Sequence, residues 1–298
     1  MANTRVAVAH LKPTWCPTAN LLVEADDLAA RASSQEAEIL VLPGGLGWRA
    51  VGYTAAVPED APSGWGTLAR LCSGGTDAHQ RWVELGERLI SGLLTIAASR
   101  AVWLVAGGIP LSLAGSVGNA VVMLSPKGDL ASVQWQTHLN EDQIRLGLVP
   151  GDTLSLVDLG WTEVGLVAGE DVLFPEVGRI LCLQGAGLLV HPAVSHPGQI
   201  HAMMARLWRD VQANQVFGVE SGWTDSGPYG AVILGPCEIT GDGSGVVSSS
   251  GNGEPDVAIG DLDWGRRRQV VDEYSIHDSL NPTLYERYLP HLYREVWE

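Results

Sequence analysis

The side chains able to do chemistry in this 298-residue chain are few and unevenly placed. A thiolate nucleophile would have to come from Cys16, Cys72, Cys182 or Cys237, which are scattered and form no C-x-x-C pair or metal-finger spacing. None of the four stands beside a recognisable basic partner, so free thiols in a reducing compartment are the simplest reading. A fixed ammonium would have to be Lys12 or Lys127, because the other basic residues are all arginines. Glu170 and Asp171 are adjacent, with Glu176 behind them, and neighbouring carboxylates can divide acid and base roles. The plainer reading is that Asp171 caps the helix opening at Pro175 or holds neighbouring loops, while Glu176 complements that helix's N-terminus. His191, His196 and His201 recur at a spacing of five, which does not bring three imidazoles to one helical face. A bend through Pro192 and Pro197 could gather two of them, but no metal is expected. The run Arg266-Arg267-Arg268, after Asp261 and Asp263, reads as a solvated or ion-paired face.

The elements that must position these residues follow from pattern. Short β-branched runs bounded by Gly or Pro recur at 5–10, 38–42, 101–106, 119–124, 164–168, 187–191, 216–220, 231–234 and 256–261, and read as buried strands. Helical patterns over 21–34, 78–100, 175–185 and 197–213 alternate with them, the rhythm of an α/β layered fold. The turn Ser125-Pro126-Lys127-Gly128-Asp129 between two further runs predicts a hairpin, hence mixed sheets. The glycine- and serine-rich stretch 240–253 reads as a flexible surface loop within one domain spanning 1–298. Residues 281–298 read as a C-terminal extension. Hydrophobic residues make up 46% of the chain and charged residues 17%, which fits a packed globular protein. A net charge of -16 repels phosphate backbones and anionic lipid, so neither nucleic acid nor membrane is an expected partner. The first apolar run is too short for a signal-peptide core, and Arg100 interrupts the longest later one; a cytoplasmic protein is expected.

Five segments, in order along nearly the whole chain, resemble the nitrilase superfamily of carbon–nitrogen hydrolases. The first is Glu38-Ile-Leu-Val-Leu-Pro43 with Gly52-Tyr53 downstream. The second is Val105-Ala-Gly-Gly-Ile-Pro110 with Gly118-Asn119-Ala120, and the third is Gln136-Thr-His-Leu139 with Pro150-Gly-Asp152. The most specific is Gly165-Leu-Val-Ala-Gly-Glu-Asp-Val-Leu-Phe-Pro-Glu176, followed by Arg179 and by Gln184 to Pro192. The last joins Ala213-Asn214 and Ile233 to Pro236 to a closing Asn281-Pro-Thr-Leu-Tyr285. The resemblance implies an α/β four-layer α-β-β-α sandwich with mixed β-sheets that pairs through a helical face. It also implies acyl transfer through a cysteine thiolate, with a glutamate as base and a lysine stabilising the tetrahedral intermediate.

Carried over position by position, that glutamate falls on Gly44, the lysine on Gln136 and the cysteine on Gly169. A further glutamate carried by some members falls near Leu146. Lys127 lies about nine residues, or ~30 Å of extended strand, from Gln136 and is no near substitute. Loss of one unit of a cooperative constellation already removes most of the rate. The expectation is therefore a catalytically inactive nitrilase-fold protein, a small-molecule binder or assembly subunit. The alternative is an amidase- or nitrilase-type hydrolase with a non-standard site using Glu170, Asp171 or His191. His138, Glu170, Asp171 and His191 are the candidate pocket residues around the vacated positions Gly44, Gln136 and Gly169. No cofactor is expected. Tyr285, Tyr288, Tyr293 and Trp297 form an aromatic C-terminal stretch of the kind enriched at interfaces, so a homodimer or larger even oligomer is expected.

Overall fold

The computed structural model describes residues 3–295, apart from 13, 59–60, 62–63, 73–74, 194–205, 224–229 and 252–255. In β1 (Thr4–Leu11) Val6 and Val8 turn to one face while Ala7, Ala9 and Leu11 turn to the other, and all are buried. A strand apolar on both faces must be covered on both sides. β2 (Ile39–Val41) and β3 (Trp103–Leu113) sort the same way: Leu40, Leu104 and Ala106 join one cluster, and Ile39, Val41 and Val105 the other. With β4 (Ser116–Leu124), β5 (Leu130–Trp135) and β12 (Asp256–Leu262) they form a half-sheet in the order β5-β4-β3-β2-β1-β12. β2 runs parallel to β1 and β3, while β12 and the β3–β4–β5 meander are antiparallel.

The second half-sheet follows chain order: β6 (Leu156–Asp158), β7 (Glu163–Leu166), β8 (Ala186–Pro192), β9 (Phe217–Trp223), β10 (Val232–Leu234) and β11 (Val246–Ser249). Its three central strands are parallel and its outer pairings antiparallel. A short parallel pairing of His10 and Leu11 with Gly222 and Trp223 joins the two half-sheets at the C-terminal ends of β1 and β9. Their inner faces share one core, in which Val8, Val41 and Val121 meet Leu166, Val190 and Phe217.

Helices α1 (Thr18–Ser34) and α4 (Thr76–Arg100) cover the outer face of the first half-sheet through Leu21, Leu28, Leu89 and Leu93. α6 (Pro175–Gln184) and α7 (Leu207–Asn214) cover the second through Val177, Leu181, Leu207 and Val211. The layers are thus α-β-β-α, as expected. Each fully buried Leu or Val adds roughly 1.5–3 kcal/mol of transfer free energy, so these faces hold the layers together. Three shorter helices, α2 (Leu46–Thr54), α3 (Trp65–Leu71) and α5 (Glu141–Arg145), close one end around Trp48, Trp65 and Trp82. Leu146 is buried in that aromatic cluster rather than facing a pocket. α8 (Trp264–Glu273) starts at Asp263, which accepts from the Arg266 N–H.

Two expectations need correction. The stretch 240–253 is not simply a loop, because Val246–Ser249 forms β11 against β10, with Gly243 and Gly245 at positive φ before it. Two consecutive valines supplied a strand signal that the surrounding glycines and serines hid. The helix expected over 197–213 is seen as α7 only from Leu207, and residues 194–205, with His196 and His201, lie outside the described residues. The C-terminal extension folds as α9 (Pro282–Glu295), with Leu284, Tyr285, Tyr288 and Leu289 exposed. Trp297 lies outside the described residues.

One close approach sets the end of β2. Gly108 interrupts the β3–β4 register at φ +68, and a Cβ there would meet the Gly45 nitrogen at 2.0 Å. Gly108→Ala therefore combines left-handed strain with a backbone collision that no rotamer relieves. We expect this substitution to cost about 3 kcal/mol, read as a lowered denaturant midpoint. An unchanged midpoint would show that Gly44 and Gly45 are not held by this contact.

Candidate functional site

The site lies beyond the carboxyl ends of the parallel strands, where open α/β sheets place their ligands. β7 ends at Leu166, and the chain turns at Gly169 into a 3-10 turn (Gly169–Leu173) and then α6. Gly169 sits at φ +56, a left-handed conformation costing roughly 1–2 kcal/mol for a residue with a Cβ. This strand–turn–helix is the geometry of a nucleophile elbow, in which a strained residue presents its side chain at the top of the sheet. Here glycine relieves the strain and presents nothing. A Cβ at this position would lie 2.7 Å from Gln136 Oε1 and 3.4 Å from Asn119 Nδ2, so Gln136 and Gly169 are in direct contact. Gly44, at the end of β2, donates its N–H to the Ala193 carbonyl at 3.0 Å, which ties it to the end of β8.

Gln136 is 1% exposed and bonded at both ends of its amide. Its Oε1 accepts from Asn119 Nδ2 at 2.6 Å and from Gln143 Nε2 at 2.8 Å. Its Nε2 donates to the His138 carbonyl at 2.5 Å and to Gln143 Oε1 at 3.1 Å. The network continues outward, since Trp48 Nε1 donates to Asn119 Oδ1 and Gln143 Oε1 accepts the Asn140 N–H. Every one of these side chains is neutral, so the network orders the surroundings of Gly169 without supplying a charge or a titrating proton. Gln143 also closes a capping box with Asn140 at the start of α5. Asn119 and Gln143 were not among the functional residues expected from the sequence, although Asn140-x-x-Gln143 spells a capping box and would have placed Gln143.

Asp171 is fully buried, and its carboxylate is spent on the neighbouring loop. It accepts from the backbone N–H groups of Thr137 and His138, from Thr137 Oγ1, and contacts His138 Nδ1 at 3.1 Å. It does not cap α6, whose N-cap is Phe174 without a side-chain bond. Of the two plain readings of Asp171, loop holding is the one the geometry displays. The His138 ring stacks on Phe174 with centroids 3.7 Å apart. Glu170 is partly exposed and accepts from Asn140 Nδ2 at 2.7 Å. Glu176 lies in the first turn of α6 and accepts from the Tyr293 hydroxyl, so helix complementation and a link to α9 share one side chain.

His191 and Glu220 are register partners in β8 and β9, both buried. His191 Nδ1 meets Glu220 Oε2 at 3.0 Å, and its Nε2 meets the Gly169 carbonyl at 2.9 Å. Arg206 pairs with the other Glu220 oxygen at 3.3 Å. Burial pushes the Glu220 carboxyl up, but the His191 hydrogen bond and the Arg206 charge outweigh it and hold the group below the usual range. Glu220 was not foreseen; a lone glutamate inside an apolar strand run was its only signal.

None of the cysteines adjoins this site's polar groups. Cys182 is buried in α6, its thiol pushed up to about 12 by burial and by nearby Asp210. Burial also raises Cys16, Cys72 and Cys237. Lys127 lies in the β4–β5 turn, and Arg145 pairs at the surface with Glu141 and Asp142. Among the described residues no cluster of three or more His, Cys, Asp or Glu side chains could hold a metal ion, and no helix is long and apolar enough to cross a membrane.

Comparison with known proteins gives this geometry a family. The chain is 24% identical to the omega-amidase NIT2 of Bos taurus, over 96% of this chain and 98% of that protein. It is 24% identical to a nitrilase of Pyrococcus abyssi, over 95% and 99%. Among solved structures it resembles an amidase mutant from Nesterenkonia sp. AN1 in complex with butyramide, with a TM-score of 0.71 at 20% identity over 96% of this chain and 97% of that one. A double mutant of the same amidase in complex with acrylamide gives 0.70 at 20% identity, over 90% and 93%. The sequence model of the carbon-nitrogen hydrolases matches residues 5–270, and with that match across both half-sheets and the elbow at Gly169, the chain belongs to the carbon-nitrogen hydrolase family.

Proposed function

We propose that this protein is a ligand-binding member of the family, whose pocket takes up a small carboxamide and holds it without a covalent bond to the protein. The observation that carries the reading is Gln136: a neutral amide, buried and bonded at both ends, fills the position where the resemblance calls for a free cation. Acyl transfer needs a nucleophile, a proton acceptor and charge stabilisation together. Gly169, Gly44 and Gln136 provide none of the three. The ligand class follows from the amidase relatives, whose structures hold butyramide or acrylamide.

A second reading is hydrolysis by activated water, with Glu170 as base. It is favoured by Glu170's partial exposure next to the elbow and by the amidase and nitrilase names of the relatives. Asp171 and His191 are poorer bases, because both are buried and engaged by internal partners. The free thiols of all four cysteines fit a cytoplasmic location. Pairing of two copies is supported by Ile180 and Leu183 on α6 and by Leu284, Tyr285, Tyr288 and Leu289 on α9, all exposed in the single chain.

Three outcomes are expected. Butyramide titrated calorimetrically binds, while ammonia release stays at the buffer rate and the intact mass is unchanged; enzyme-dependent ammonia lost in Glu170→Gln would replace binding by the water-based reading, and a mass adduct would overturn both. Gly169→Cys introduces a left-handed Cβ against Gln136, lowers stability by about 1–2 kcal/mol and yields no ammonia; activity from this single substitution would show that a general base already serves the site. Light scattering at micromolar concentration gives twice the 31.7 kDa chain mass or a larger even multiple; a monomer mass would remove the pairing proposal.

A further inference from the structure

The buried His191–Glu220 pair has no part in the acyl-transfer scheme, yet it touches the backbone of the elbow. Hydrogen-bond accounting fixes its protons. The Gly169 carbonyl can only accept, so at 2.9 Å His191 Nε2 carries a hydrogen. Glu220 is bonded on one oxygen by His191 and faces Arg206 on the other, an arrangement that favours the carboxylate. An ionised carboxylate also only accepts, so His191 Nδ1 carries a second hydrogen. A ring with both hydrogens is an imidazolium. The alternative, a neutral ring accepting from a protonated Glu220, would place an uncharged acid beside Arg206, and it conflicts with the lowered Glu220 carboxyl.

We propose that His191 is a positioning residue held as a buried imidazolium between Glu220 and the Gly169 carbonyl, and that it supplies the pocket with the fixed cation that position 136 does not. Among the described residues, the other charged groups around it are Arg206 on the far side of Glu220 and Asp210 in α7, itself bonded to Arg209. The charge acts through one hydrogen bond on the peptide that forms the elbow. It holds that peptide in its left-handed turn and places positive potential behind position 169, where the electron-rich oxygen of a carboxamide would be drawn. This part deepens the binding reading and rests on it; the protonation state does not.

The test uses the full chain labelled with 15N in histidine, at neutral pH. One ring signal, removed in His191→Gln, should show both nitrogens protonated. Glu220→Gln should convert that signal to a singly protonated ring, because the amide nitrogen can donate to Nδ1 and keep the chain of hydrogen bonds while removing the charge. Should His191→Gln not fold, Glu220→Gln still decides: one histidine must change from doubly to singly protonated. A bare nitrogen on His191 in the unsubstituted protein, or no change in Glu220→Gln, overturns the proposal. In the same variant the Kd for butyramide should rise about tenfold, and an unchanged Kd would reject the electrostatic role. Absence of butyramide binding by the unsubstituted protein would defeat the binding reading while leaving the ring spectrum to judge the imidazolium.

Discussion

The side-chain amide of Gln136, with both ends bonded and no charge, is the constraint on which the rest of the pocket depends. A lysine there would project a cation beside Asn119, Gln143 and the His138 carbonyl, and would leave the Asn119 and Gln143 side-chain N–H groups without the acceptor that Gln136 Oε1 supplies. Buried polar networks tolerate such a change poorly, since a partly satisfied network is worse than none. The same amide reaches the elbow, where its oxygen lies within contact of any Cβ added at Gly169. The neutral network and the glycine at the elbow are therefore one arrangement.

Around that arrangement the family scaffold is intact. The parallel strands β2 and β7 bring Gly44 and Gly169 to the same end of the molecule, and Asp171 pins the Thr137–His138 loop that carries Gln136's neighbours. Removing a carboxylate that holds several buried donors typically costs more than any one of its bonds contributes, because the donors are left unsatisfied. Asp171 thus serves the shape of the site through the backbone it holds. His191 and Glu220 give that shape an electrostatic side, since a buried ion pair set against a backbone carbonyl fixes geometry that packing alone would leave softer.

Much of this was legible in the sequence. The apolar strand runs, the α4 and α6 helices and the hairpin after Met123 follow from periodicity and from Gly and Pro punctuation. Gly44, Gln136 and Gly169 were singled out only by the ordered motifs, because a glycine or glutamine carries no chemical signal of its own. α2 and α3 escaped notice because their buried faces are built from tryptophans that meet each other across helices, a pattern set by tertiary packing. β11 hid among glycines that shape the turn before it. The Asn119–Gln136–Gln143 network and the His191–Glu220 pair join residues 7 to 29 positions apart, and no local pattern announces a contact between strands.

The measurement that bears most directly on the central claim is a crystal structure of the protein soaked with butyramide. The amide is expected beside Gly169, with the Asn119–Gln136–Gln143 hydrogen bonds unbroken and no protein atom at covalent distance. An acyl group bonded to any side chain, or butyrate in place of butyramide with Glu170 turned toward it, would contradict it.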